Sequence, residues 1–258
     1  MLLPPLASDP ILIGGEPRSG TTLLRVILDS HSAIACGPES HFFVDPKFQE
    51  FHEYFRNRWT RRAADFDYTP NDLDDLFRDF VRGFFETYAK RRGKRRWADK
   101  TPQSIWSLSY VWTLFPTARF VHMIRDGRDV ACSVLAQNFG PKDVEEAARR
   151  WVKSIECGVS RRGDPRYAEV RYEDLVLHTE REVRRVLAFV GEPFEPAVLE
   201  HHKRAHDWAG NGPVETKRAS KPVYADAIGR WRRDLTDADQ KRFAKIAGPT
   251  LRTLGYET

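Results

Sequence analysis

A chain of 258 residues can bury a full hydrophobic core without disulfide or metal staples. Its three cysteines, an odd number at no metal-like spacing, exclude a disulfide framework and suit a reducing compartment. The 42 cations against 37 anions leave a formal charge of +5, a mixed surface rather than the basic stripe of a nucleic-acid-binding domain. The opening MLLPPLASDP lacks the basic region and long apolar run of a signal peptide, and nothing later approaches a transmembrane segment, so the expectation is one cytoplasmic domain spanning 1–258.

Residues 10–14 read as a first strand buried on both faces, because the run is short, continuously apolar and ended by glycines. The turn GEPRSGTT follows, and Thr21 to His31 reads as a helix with Leu23, Leu24, Ile27 and Leu28 at core-facing spacing. Gly15 and Gly20 are four residues apart, as in the triphosphate loop GxxxxGK, but Thr21 occupies the lysine position. The helix start still favours an anion through free N–H groups and the positive dipole end, aided by Ser19, Thr21, Thr22 and the cation of Arg18. An ordinary capped strand-to-helix turn has the same local pattern, and both readings stand at this point.

Ser32 to Cys36 reads as a second strand and GPESHFF as a loop, so strand, loop, helix and strand open a doubly wound α/β unit. Residues 46–92 carry two helical patterns with aromatic faces, expected as an inserted helical cap. KRRGKRR (90–96) and Arg56, Arg58, Arg61 and Arg62 are basic clusters that suit helix ends or, alternatively, an anionic acceptor. Arg96 to Lys100 reads as a strand entering the loop ADKTP, with a helix from Pro102 to Leu114; Phe120 to Ile124 is the next strand, and RDGRDV turns into a helix from Arg128 to Gln137. A charged helix at 143–162, a strand at 167–172, a turn at EDLV and a helix at 180–189 continue the alternation. Residues 207–225 have no sustained period and read as a long functional loop; helical patterns at 228–231 and 237–254 finish the chain. His202 and His206, four apart, lack a third ligand, so no metal is expected.

PRSGTT, GPESH, ADKTP and MIRDGRDVACS all fall just beyond strand C-terminal ends, where an open parallel sheet binds its ligands. Taken in order with VRYEDLV and KPV, they resemble the sulfotransferases that use 3′-phosphoadenosine 5′-phosphosulfate, closest to the tyrosylprotein and bacterial members. The resemblance implies a P-loop-like, doubly wound parallel sheet flanked by helices, with a helical insertion. It implies that Arg18, Ser19, Gly20, Thr21 and Thr22 hold the 5′-phosphosulfate, and that Arg125 and Ser133 hold the 3′-phosphate. Tyr172 falls near the adenine position, although a core tyrosine would suit that strand equally. Adenosine 3′,5′-bisphosphate would be the product, with no metal required.

Glu39 matches the catalytic base of the tyrosylprotein type and His41 is the rival base or an acceptor contact. Full ground-state transfer from a phenol to an ordinary carboxylate would cost about 8 kcal/mol, so the proton must move as the new bond forms. Lys100 matches the lysine that meets the departing oxygen, with Arg18 as a further cation. In the loop ending SKPV, Lys217, Arg218, Ser220 and Lys221 are candidates, of which Ser220 and Lys221 are carried over to the donor. The acceptor is a hydroxyl on a small molecule, glycan, lipid or peptide, with no nucleic-acid partner. A kinase-like enzyme with a degenerate loop, or a non-catalytic nucleotide- or polyanion-binding module, are the alternatives.

Overall fold

In the computed structural model, which describes residues 10–137, 140–203, 219, 221–223 and 225–257, five parallel strands form one sheet. They are β1 (Ile11–Gly14), β2 (Ile34–Cys36), β3 (Arg96–Lys100), β4 (Arg119–Ile124) and β5 (Tyr167–Arg171), in the order β2-β3-β1-β4-β5. Strand β1 is therefore central, with Ile13 opposite Lys100 on one side and Gly14 opposite His122 on the other. The chain leaves β1 toward β2 and leaves β4 toward β5, in opposite directions across the sheet. Their C-terminal ends consequently flank the topological switch point, the crevice in which such sheets bind ligands.

Helices cover both faces, which is why the central strand β1 is continuously apolar and fully buried. Ile11 and Ile13 pack with α1 (Thr21–Asp29), α8 (Thr179–Val190) and the 3-10 segment Pro196–Lys203. Leu12, one residue out of phase, packs with α3 (Pro70–Arg91), the 3-10 segment Pro102–Ser107 and α4 (Leu108–Leu114) on the other face. A third cluster joins α5 (Gly127–Leu135), α6 (Val144–Val159) and α10 (Asp237–Thr253) around Trp151 and Phe243. Each fully buried aliphatic side chain contributes about 1.5–3 kcal/mol.

The helical pair expected as an insert is the crossover between β2 and β3. Pro46 opens α2 (Pro46–Ala64), whose first N–H groups are capped by Asp45. Pro70 opens α3, capped by a reciprocal Thr69–Asp72 box. Phe77, Val81 and Phe85 of α3 reach the sheet, and Phe85 stacks on Trp97 at 4.3 Å.

The segment EDLV is not a turn: α7 (Tyr172–Leu177) begins directly at the end of β5. Residues 228–230 are turns, and α9 (Trp231–Asp234) begins at Trp231. His206 and most of the expected loop at 207–225 lie outside the described residues. All three cysteines are free, Cys36 and Cys132 buried and Cys157 half-buried. No helix among the described residues is long and apolar enough to cross a membrane.

Candidate active site

The loop between β1 and α1 is built by backbone geometry. Gly15 (φ +145°) and Gly20 (φ +92°) sit in conformations that side chains rarely adopt. A Cβ at Gly15 would collide with the Met123 carbonyl oxygen, and one at Gly20 with the Tyr172 ring. Arg18 adopts φ +77° without being glycine, an uncommon conformation that persists where surrounding structure enforces it. Gly20 is the N-cap of α1 and offers no side-chain cap, so the opening turn at Thr21, Thr22 and Leu23 keeps its partial positive charge for a ligand. Glu16, almost fully buried, ties the loop to α6 by accepting from Ser154 Oγ at 2.6 Å and pairing with Arg150 at 3.3 Å. Burial pushes its carboxyl up, against the lowering effects of Ser154 and Arg150.

Arg125 leaves the end of β4 and Ser133 lies about two turns along in α5. Arg18 Nε donates to Ser133 Oγ at 2.9 Å across 115 residues of sequence, and Arg125 Nη1 donates to the Arg18 carbonyl at 3.1 Å. The Arg125 guanidinium lies over the Tyr172 ring at 4.6 Å, and its buried Nε has no hydrogen-bond partner among the described residues. These groups line a cleft open to solvent, together with Gly20, Thr21, Thr22 and Lys221. The orphaned nitrogen, the uncapped helix start and converging arginines fit a ligand with two separate anionic groups.

Glu39 and Lys100 form a second group beside this cleft. Lys100 ends β3, next to β1, and its buried ammonium donates to Glu39 Oε1. Burial pushes the lysine below its usual range, against the opposing pull of Glu39. His41 Nε2 lies 3.7 Å from Glu39 Oε2, and His41 has φ +60°. Asp99 and Thr101, flanking Lys100, hold the Glu39 loop: Asp99 Oδ1 accepts from Ser40 N at 3.3 Å, and Thr101 Oγ1 from His41 N at 3.4 Å.

The candidates therefore fall into two adjacent sets. Arg18, Gly20, Thr21, Thr22, Arg125, Ser133, Tyr172 and Lys221 surround the cleft, while Glu39, His41 and Lys100 converge on one another. Ser19 is buried beneath the loop, its N–H donating to the Glu16 carbonyl at 3.1 Å, and does not line the cleft. Ser220, Lys217 and Arg218 lie outside the described residues.

Sequence reasoning missed Arg230, which lines the cleft because the buried Asp129 carboxylate accepts from Gly229 N at 2.8 Å and Trp231 N at 3.0 Å. An arginine ahead of a short helix carried no local signal. Much of the KRRGKRR cluster is absorbed structurally: Lys94 pairs with Asp29, Arg95 and Arg96 with Glu192, and Lys90 with Glu86.

A model of the Sulfotransferase family matches residues 10–196. A protein-tyrosine sulfotransferase of Drosophila melanogaster is 31% identical across 96% of this chain, which spans about half (51%) of that relative. Protein-tyrosine sulfotransferase 1 of Danio rerio is 30% identical across 96% of the chain and 72% of its own length. Among solved structures, the sulfotransferase domain of the Synechococcus PCC 7002 olefin synthase superposes with a TM-score of 0.67 at 22% identity, covering 97% of this chain and 95% of that domain. With the family match reaching from β1 into the 3-10 segment at 196, the chain belongs to the sulfotransferase family.

Proposed function

We propose that this chain transfers a sulfonate group from 3′-phosphoadenosine 5′-phosphosulfate to an acceptor hydroxyl, using the cleft for the donor and Glu39 with Lys100 for the chemistry. The observation that carries the reading is the convergence of Arg18, Arg125 and Ser133 at the mouth of an uncapped helix. Arg125 and Ser133 hold the 3′-phosphate. Arg18 and the opening turn of α1 hold the 5′-phosphosulfate, and Tyr172 borders the adenine. Lys221, which lines the cleft, adds a further cation for the donor, and the chain is one domain.

When bound, the donor supplies an electrophilic sulfur and a bisphosphate leaving group. Glu39 takes the proton of the attacking hydroxyl, and the Lys100 ammonium faces the negative charge that develops as the leaving group departs. Before substrates arrive, the Lys100–Glu39 ion pair orients both groups, while the hydrogen bonds from Asp99 and Thr101 fix the loop beneath them. Free, largely buried thiols support a cytoplasmic location.

Thermal unfolding with adenosine 3′,5′-bisphosphate tests the donor site: the bisphosphate raises the midpoint and ATP with Mg²⁺ does not. Arg125→Ala and Arg18→Ala abolish that rise. Glu39→Gln retains it and lowers turnover about 10²–10⁴-fold. Wild-type turnover by Glu39→Gln would transfer the base assignment to His41.

A further inference from the structure

Eight of the nine exposed large apolar side chains among the described residues lie between positions 51 and 84, on α2, α3 and the turn joining them. Concentrated apolar exposure of this kind marks a binding surface more often than chance does. One part of it borders the reacting groups. Phe80 and Phe84, 62% and 55% exposed, recur with Tyr88 every four residues and so share one face of α3.

That face is turned toward the loop carrying Glu39. Tyr88 lies against Gly37, where a Cβ would come within 2.9 Å of its ring. Phe42, three residues after Glu39, meets Phe84 edge-on at 5.2 Å and Phe80 at 6.2 Å. Phe48 of α2 closes the group, 5.3 Å from Phe42 and stacked 6.4 Å from Phe80. The surface is anchored to the catalytic strand through Phe42 on Phe85 (5.8 Å) and Phe85 on Trp97, which precedes Lys100 by three residues on β3.

Three cations around this aromatic surface are paired within their own helices. Lys47 pairs with Glu50 at 2.9 Å, Arg82 with Asp79 at 2.6 Å and Lys90 with Glu86 at 3.7 Å. Those three cations are therefore already matched by carboxylates of their own helices, which disfavours an acidic acceptor along this path. An acceptor whose hydroxyl reaches Glu39 must lay its remaining bulk over whatever borders the loop, and here that border is a platform of phenylalanine rings.

We propose that the acceptor is a neutral hydroxyl compound with an extended hydrocarbon body, seated on Phe42, Phe48, Phe80 and Phe84. The proposal rests on the sulfotransferase reading and names the substrate class of that site. It predicts that each methylene reaching the platform raises kcat/KM about fourfold until the surface is covered.

The test measures donor turnover with 4-alkylphenols from methyl to octyl and with a tyrosine peptide flanked by Asp and Glu. Bisphosphate affinity and sedimentation are followed in parallel for the wild type, Phe80→Ser and Phe84→Ser. The expected result is a steep rise with chain length that either serine variant flattens, losing at least tenfold in kcat/KM for octylphenol with an unchanged bisphosphate Kd. A flat chain-length profile, preference for the acidic peptide, or no turnover of any alkylphenol while bisphosphate binds overturns the proposal. So does a dimer that the serine substitutions dissociate, since a second copy then covers the surface. Loss of bisphosphate binding in the wild type would instead defeat the underlying sulfotransferase reading.

Discussion

Asp99 is buried one residue before Lys100 and holds the segment carrying Glu39 through the Ser40 N–H. Burial pushes its carboxyl up, countered mainly by hydrogen bonds with Ser40 and Thr101. Removing this carboxyl frees the loop while Arg18 and Arg125 remain in place. We expect Asp99→Ala to lower kcat about tenfold or more with unchanged bisphosphate affinity. Asp99→Asn, which keeps an acceptor oxygen for Ser40 N, restores most of the loss. Steady-state kinetics beside calorimetric bisphosphate titration distinguish this positioning role from a general stability defect, which would weaken binding as well. The tenfold figure corresponds to about 1.4 kcal/mol of misplacement at the transition state.

Helix α7 shows why EDLV reads as a turn in isolation. Six residues with two carboxylates in the first turn are too few to form a helix on propensity alone. Tertiary contacts decide the matter: Leu175 is fully buried, and Glu173 accepts from Asp126 N at 2.9 Å and Tyr256 Oη at 3.0 Å. Glu173 thus joins α7 to the turn that presents Arg125 and to the chain end. Its carboxyl is pushed up by burial, with these hydrogen bonds acting in the opposite direction. Tyr256→Phe removes one donor and leaves the half-buried Glu173 carboxylate less satisfied. The expected cost is about 1–3 kcal/mol in urea unfolding. Bisphosphate affinity stays within about twofold because the Asp126 bond survives.

Across the whole molecule, stability responds to acid through a histidine that catalysis does not use. His122 on β4 is fully buried, with Nδ1 2.6 Å from Tyr167 Oη, and burial lowers its pKa to about 4. Between about pH 6.5 and 4 the unfolded chain binds a proton that the folded chain refuses, so this group's contribution to stability is present above that window and lost as pH falls through it. The loss amounts to about 3 kcal/mol by the lower end. Chemical unfolding of His122→Asn across this range should follow a profile shallower by about that amount; parallel profiles would remove His122 as the cause. By itself the sequence determined the α/β alternation, the buried central strand, the glycine-built loop and the residue types of the four turns that follow strand ends, because these depend on local backbone geometry and short-range periodicity. Only the tertiary structure decided the order β2-β3-β1-β4-β5, the helical state of residues 172–177 and the arrival of Arg230 at the cleft. The meeting of Arg18 with Ser133, and the aromatic platform beside Glu39, were decided at the same level. The reason is physical: strand order and side-chain convergence are set by contacts between segments as much as 115 residues apart, whose energies leave no periodic trace in either segment alone.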